Sequence, residues 1–521
     1  MPEVKRIVKI KETANLSTGG TAVDVTALVH PDNVLLAQRI AKMIGLDIMG
    51  MDIIANDISK PINGKNGAVI EINAAPGIRM HHYPSAGQAR DVGGKIVDYL
   101  FPYGGNGRIP ILAITGTNGK TTVTRMLSAI YQEAGFNVGM TTTEGVFFNQ
   151  ECQMAGDCSG PMSAKMVLHD KNVEVAVLET ARGGIVKAGL GFERCDVGIV
   201  TNISEDHLGQ DGIETLEDLV YIKSLVLELV DVSGTAVINA DDVFAPKLAT
   251  RVQAQVIYFS MTENNIVIRR HLGAGGKAVF MKNDKIYLAC GNQAKVILNV
   301  KDIPVTLGGV AKHNVQNALA AIAASYGYGV DVEYVKQGLT NFVDNVGRLN
   351  LFHINDFNVC VDYGHNFAGY QAIINTVRQL GTKRLVGVIG VPGDRRDDVI
   401  FNIGKTAGAG FDQLYIKEDN DLRGRKVGET ASILEEGISS IGFPSEKIKT
   451  ILAEKEAVKV ALENAIAGDF IVVFYEDYKE TIETIQEFIR NRTGAEEGDQ
   501  PLLDFMLTNE TIRPLLKNSF V

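Results

Sequence analysis

The sequence is short of cysteine, of surplus positive charge and of long apolar runs, and each shortage removes a class of protein. Only five cysteines occur in 521 residues: Cys152, Cys158, Cys195, Cys290 and Cys360. An odd count without a CxxC pair does not build a disulfide framework or a common zinc site, so reduced thiols in a cytoplasmic protein are expected. Lys and Arg number 51 against 62 Asp and Glu, a net charge of −11. A diffuse acidic balance excludes a dedicated nucleic-acid binder, and any anionic substrate must then be held by local basic groups. No apolar run is long enough to span a bilayer. The opening MPEVKRIVKIKE alternates apolar and charged residues as a strand does and has no continuous apolar core of a signal peptide, so neither a leader nor a membrane partner is expected.

What remains is ordinary globular composition, 45% hydrophobic and 22% charged, at a length that predicts about three domains. The first hundred residues read as a small α/β unit. A helix is expected over Val25–Ile44, with Leu35, Leu36, Ile40 and Met43 on one face, and strands at Met49–Ile54 and Ala68–Ile72. Gly-rich Tyr103–Gly107 reads as a linker. A second domain opens at Ile109 with IPILAIT, a continuous apolar strand of the buried parallel type, and further strands are expected at Val173–Leu178, Val197–Val200 and Ala236–Ile238. A third unit begins near Asn341, with strands at Asn358–Val361, Leu385–Ile389, Gln413–Ile416 and Phe470–Phe474. Strands alternating with helical patterns predict doubly wound sheets in both.

The strongest local signal is Thr115-Gly116-Thr117-Asn118-Gly119-Lys120-Thr121-Thr122. It follows the IPILAIT strand and opens a helix with Val123, Met126, Leu127, Ile130 and Tyr131 on one face. Glycines let the backbone curl so that its N–H groups converge, and a helix N-terminus adds positive potential. Lys120 then supplies charge for the β- and γ-phosphates of a nucleotide, and Thr121 a hydroxyl for Mg²⁺. Ile114 stands where the common P-loop has its first glycine, so the motif is the GTNGKT variant. A Gly-rich strand–helix turn without a ligand is the bland alternative.

GTNGKTT resembles the form used by the Mur ligase superfamily, and an ordered series extends the likeness from residue 109 to about 480. Glu179 ends a strand in VLETARGG, Asp206-His207 sits in TNISEDHLG, and His313-Asn314 lies in KHNVQNALAA. Arg348 follows in NVGRL, then Asp362 and His365 in DYGHN. LETARGGIVKAGLGF, GDRRDD and KEDNDLRGR are similar to the Mur-like half of the cyanophycin synthetases. NLSTGGTAVDVT, GMDIIA and AVIEINAAPGIRMHHYPS look like the end of that family's ATP-grasp domain.

The resemblance implies an α/β fold in four parts: a partial ATP-grasp remnant (1–105), a Mur ligase-like central ATP-binding domain (106–340), a doubly wound C-terminal domain (341–492) and a tail (493–521). It implies an ATP- and Mg²⁺-dependent acid–amino-acid ligase working through an acyl phosphate. The substrates would be an amino acid, most simply L-arginine, and the side-chain carboxylates of a poly-aspartate (cyanophycin) chain, in a homo-oligomer. By the same route Lys120, Glu179, His207 and His365 are expected to be catalytic, and Thr121, Glu179, His207 and Lys223 to hold metal, Lys223 after carbamylation. Gly116, Thr117, Asn118, Gly119, Lys120, Thr121, Thr122, Asn314, Asn317, Arg348 and Asp362 are expected around the nucleotide.

Several alternatives stay open. Lys223 reads equally as an exposed helix lysine, Asp206 as a helix cap, and His313 as a cap or packing residue. Arg395, Arg396, Arg423 and Arg425 suit carboxylate substrates or form a solvated face. In the ATP-grasp likeness Asp52, Glu71 and Asn73 would be metal ligands, but the body of that domain is missing, so a structural role for the remnant is expected. A different Mur-type ligase, or a non-catalytic subunit of a synthetase, are the rival functions.

Overall fold

A computed structural model describes residues 20–102, 105–206, 208–343, 345–354 and 356–493. The strand expected at the N-terminus, the tail and His207, expected to be catalytic and to hold metal, lie outside the described residues. The chain divides into two units, Met1–Arg108 and one beginning at Ile109.

The first unit pairs two antiparallel strands, Gly50–Ala55 and Gly67–Asn73, in a sheet of two, with helices at Pro31–Ile44 and Val92–Leu100. The first helix starts six residues later than its pattern suggested. Pro31 presets φ at its first position, and the His30 ring accepts from the Asp32 N–H at its end. Its expected apolar face is not buried: Leu35 is 63% and Met43 75% exposed. Among the described residues of this unit, no hydrophobic side chain counts as buried.

The second unit holds two sheets. The larger has eleven strands. Its parallel centre runs Lys277–Lys282, Gln255–Ser260, Val230–Asn239, Cys195–Val200, Ile111–Thr115, Val175–Glu179, Val138–Thr142 in spatial order. The three expected strands fall within this series. Hairpins extend both edges: Lys285–Cys290 with Gln293–Asn299 on one side, Gly145–Phe148 with Glu151–Ala155 on the other. Both faces are covered, which is why the central strands read as unbroken apolar runs. On one face the helices Lys120–Glu133 and Lys312–Tyr328 pack Met126, Leu127, Ile130 and Leu319 against Leu112, Val177 and Val197. On the other, Leu216–Glu228 brings Leu219 and Val226 onto Ala113, Val200 and Ala236.

The smaller sheet has six strands, in the order Asn350–Ile354, Phe357–Asp362, Asp469–Phe474, Arg384–Ile389, Gln413–Ile416, Ile448–Thr450. All but the first pair run parallel. Two apolar layers flank it, one built on Tyr370, Ile374 and Leu434, the other on Val458, Leu462 and Ile485. In both sheets the carboxyl ends of the parallel strands carry the loops of interest, where doubly wound folds place their ligands.

Candidate functional site

The strand Ile111–Thr115 is buried throughout and runs straight into the Gly116–Gly119 turn and the helix Lys120–Glu133. Two positions of that turn require glycine. Gly116 has φ 148° and Gly119 φ 87°, and a methyl on the second would run into the Asn317 amide. The neighbouring strand end grips the turn from below. Asn118 N donates to Asn202 Oδ1 at 2.9 Å, Thr117 N to Asn202 O at 2.8 Å, and Thr201 Oγ1 to Asn118 O at 2.6 Å. Lys120 Nζ curls back to donate to Thr117 O at 3.0 Å. The loop is therefore preformed, with its lysine poised over its own mouth.

A cavity of about 380 Å³ opens there. Thr117, Asn118, Gly119, Lys120, Thr121 and Thr122 form one wall. Asn314 and Asn317, a turn apart on the helix Lys312–Tyr328, form a second, where Asn317 Nδ2 donates to Asn314 Oδ1 at 3.2 Å. His313 stands beside them, and burial pushes its imidazole down to about 4, so it is neutral near pH 7. Glu179, Arg348, Asp362 and His365 complete the enclosure. Of the expected nucleotide residues only Gly116 does not line it.

Glu179 ends the strand Val175–Glu179 and is 2% exposed. Its Oε2 accepts from Thr121 Oγ1 at 2.9 Å and from Thr143 N at 3.2 Å, whereas its Oε1 is buried without a hydrogen-bond partner. A buried carboxylate oxygen left open beside a hydroxyl, in a phosphate-type loop, is a donor set that suits a hard divalent cation sharing phosphate oxygens. Among the described residues no three His, Cys, Asp or Glu side chains converge.

Arg348 and Asp362 occupy the passage between the two sheets. The Arg348 guanidinium lies over the Tyr363 ring at 4.7 Å, donates to Tyr475 Oη at 3.0 Å and pairs with Glu144 at 3.2 Å. Its other nitrogen reaches Thr121 Oγ1 at 3.4 Å. Asp362 accepts from Leu349 N at 2.8 Å; burial pushes its carboxyl up to about 6, against the pull of Arg348. His365 Nδ1 sits 3.0 Å from Tyr363 O and its Nε2 3.6 Å from Asp206.

Three alternatives are decided by placement. Lys223 is no exposed helix lysine: it is 4% exposed, and its Nζ donates to Gly116 O at 2.7 Å. Burial first, and the nearby Lys120 second, lower its amine to about 7. Asp206 is not a cap, since Thr215 caps the next helix in a capping box; it pairs instead with Arg395 at 3.2 Å. The arginine cluster is neither bare nor simply solvated. Arg395 is buried against Asp206 and Asp394, Arg396 pairs with Asp398, Arg423 with Asp394, and Arg425 with Asp397 and Glu429. In the first unit Asp52 stands opposite Glu71, and Gly50 opposite Asn73, across the paired strands.

Family models identify the domains that carry these residues. Residues 114–325 match the Mur ligase middle domain and residues 347–474 the Mur ligase, glutamate ligase domain. The chain carries both Mur ligase domains. It is 45% identical over 484 residues to a cyanophycin synthetase of Synechocystis sp., covering 92% of this chain and 55% of that protein. It is 44% identical over 483 residues to one of Crocosphaera subtropica, with 92% and 55% covered. The chain thus spans little more than half the length of these relatives. A UDP-N-acetylmuramoyl-L-alanyl-D-glutamate–2,6-diaminopimelate ligase of Geobacter metallireducens is 26% identical, covering 71% of this chain and 75% of that protein. Among solved structures, E. coli FolC in complex with DHPP and ADP has a TM-score of 0.54 at 17% identity, covering 74% and 90%. MurF from Acinetobacter baumannii has a TM-score of 0.53 at 18% identity, covering 83% and 84%. These two likenesses establish the fold.

Residues that carried no sequence signal also meet in the Mur site. Thr143 and Glu144, in the turn after Val138–Thr142, and Tyr475, after Asp469–Phe474, come from two loops to position Glu179 and Arg348. Asn366 stands one residue beyond His365 in DYGHN, but nothing in that motif names its partner, Asn118.

Proposed function

We propose that this chain is an ATP- and Mg²⁺-dependent ligase that joins an amino acid, L-arginine in the simplest case, to the side-chain carboxylate of a poly-aspartate chain. The observation that carries the reading is the Thr121–Glu179 pair set against the Lys120 turn and roofed by Arg348. The cyanophycin synthetase relatives support the substrate pair, and the Mur domains an ATP-dependent ligase.

A carboxylate is a poor acylating agent because oxide is a bad leaving group; transfer of the γ-phosphoryl group makes a good one. An attacking amine then displaces phosphate. The protein's work in such chemistry is positioning and neutralisation. Lys120 and Arg348 balance the charge that grows on the transferred phosphoryl group. Asn314 and Asn317 hold the base, and Asp362 the ribose. His365 faces the acceptor side. A divalent cation on Thr121, Glu179 and, in this reading, His207 would supply Lewis-acid charge to the phosphates. Carbamylation of Lys223, whose amine is about half unprotonated at neutral pH, would add an anion behind the turn at the cost of its bond to Gly116 O. The Asp52, Glu71 and Asn73 unit is assigned a structural role.

The test is incorporation of radiolabelled arginine and aspartate with ATP and a poly-aspartate primer. Arginine incorporation without aspartate incorporation is expected. Aspartate incorporation by this chain alone would refute the structural role assigned to the Asp52, Glu71 and Asn73 unit, and failure of every amine screened to give an amide would refute the ligase.

A further inference from the structure

The two Mur domains are joined at the site by an amide pair that links the motif residue Asn118 to Asn366 and has no part in the reaction scheme. Asn118, in the phosphate-binding turn, donates through Nδ2 to Asn366 Oδ1 at 3.2 Å. Asn366 donates back through Nδ2 to Asn118 Oδ1 at 3.0 Å. Two primary amides facing each other in this way form a closed ring of two hydrogen bonds, which has one geometry and tolerates little sliding.

Each partner is fixed from its own side. The backbone of Asn118 is held by Thr201 and Asn202, at the end of a strand of the larger sheet. Asn366 is 2% exposed and caps the helix Phe367–Gln379, accepting from Gly369 N at 2.9 Å. Its Nδ2 also lies 3.5 Å from Asp206 Oδ2, beside the Asp206–Arg395 pair. The same boundary is crossed by Gln210 Nε2, which donates to Asp394 O at 2.5 Å. The middle domain's turn and the first helix of the C-terminal domain thus meet through side chains with no freedom to reorient separately.

We propose that Asn366 is a positioning residue, whose reciprocal amide pair with Asn118 latches the C-terminal domain onto the phosphate-binding turn. This deepens the ligase reading. Closure at this point seats Arg348 and His365 over the turn while the acyl phosphate exists and keeps water from attacking its carbonyl, which would return carboxylate and phosphate without an amide.

The test separates the latch from the chemistry. Asn366→Ser keeps a capping hydroxyl but not the amide ring, and Asn118→Ala removes the other half. Spin labels on Cys290 and on Lys447→Cys, in a Cys152→Ser background, report the distance between the domains. Two neutral hydrogen bonds predict that either substitution lowers the closed-to-open ratio about tenfold, and that the double variant is no more open than the singles. In turnover, Asn366→Ser should lower kcat more than it changes ADP affinity, and raise the ATP consumed per amide several-fold. Distance distributions that superimpose on wild type, or effects that simply add in the double variant, would overturn the latch. If no amine yields an amide, the ligase reading falls, while the distance distributions still decide the latch. Should Asn366→Ser fail to fold, the Asn118→Ala distances decide alone.

Discussion

Lys223 offers a prediction that needs no substrate. Its amine is buried behind the phosphate-binding turn, donates to Gly116 O, and faces Lys120, Asp206 and Arg182. Burial, with Lys120 adding to it, holds it at about 7 against 10.5 for the ordinary side chain. Between those values the unfolded chain binds a proton that the folded chain does not, so stability from this group rises with pH across the window and is lost as pH falls toward 7. The gap is worth about 5 kcal/mol in all, at about 1.4 kcal/mol per pH unit. Lys223→Met keeps the straight chain and the volume and removes the proton. It also leaves Gly116 O without its donor, a cost of about 1–3 kcal/mol that does not depend on pH. The chain contains no tryptophan, so urea unfolding is best followed by far-UV circular dichroism at pH 7, 8, 9 and 10. The wild-type free energy should climb relative to the variant by about 1.4 kcal/mol per pH unit. Curves that stay parallel from pH 7 to 10 would mean that Lys223 keeps its charge on folding, and the argument from its burial would fail.

Four further outcomes follow from the same geometry. Lys120→Ala should cut amide synthesis by about a thousandfold or more, as expected for loss of charge at a transferred phosphoryl group, with the fold unchanged by circular dichroism; undiminished synthesis would remove the turn from the mechanism. Glu179→Gln retains an acceptor for Thr121 but loses the anion, so the metal concentration for half-maximal ATP turnover should rise at least tenfold, read by titration with Mg²⁺ or Mn²⁺. Asp362, raised to about 6 by burial, binds a proton in the folded chain between about pH 4 and 6 that the unfolded chain has released. Its contribution to stability is therefore present at low pH and fades as pH rises through 6, and Asp362→Asn should flatten that limb by up to about 3 kcal/mol in acid denaturation curves. The isolated segment Met1–Arg108 should show no cooperative thermal transition, because its described residues offer a two-stranded sheet and no buried hydrophobic side chain, which do not support a core.

The legible parts of the fold are those governed by local periodicity. Ile111–Thr115 and Val175–Glu179 announce themselves because burial on both faces leaves no polar position in them before the last residue, and the helix after Lys120 because its five expected apolar residues all join the core under the sheet. The same logic misled in the first unit, where Leu35 and Met43 have helical spacing yet stay exposed: periodicity reports what a helix offers for packing, not what packs on it. The edge hairpins escaped because their outer strands lack a buried apolar run: Glu151–Ala155 is exposed at every position, and Gln293–Asn299 over its first four. In the site, Lys120, Glu179 and Arg348 were legible through motifs whose spacing the chemistry dictates. Glu144, Tyr475 and Asn366 were not, although they hold those residues in place, because their positions follow from how two separately folded sheets face each other across Arg348 and Asn118. A residue that acts by bridging domains has no neighbour in sequence to give it away. Its partner is 248 positions distant in the Asn118–Asn366 case, and only the closed arrangement shows that one amide answers the other.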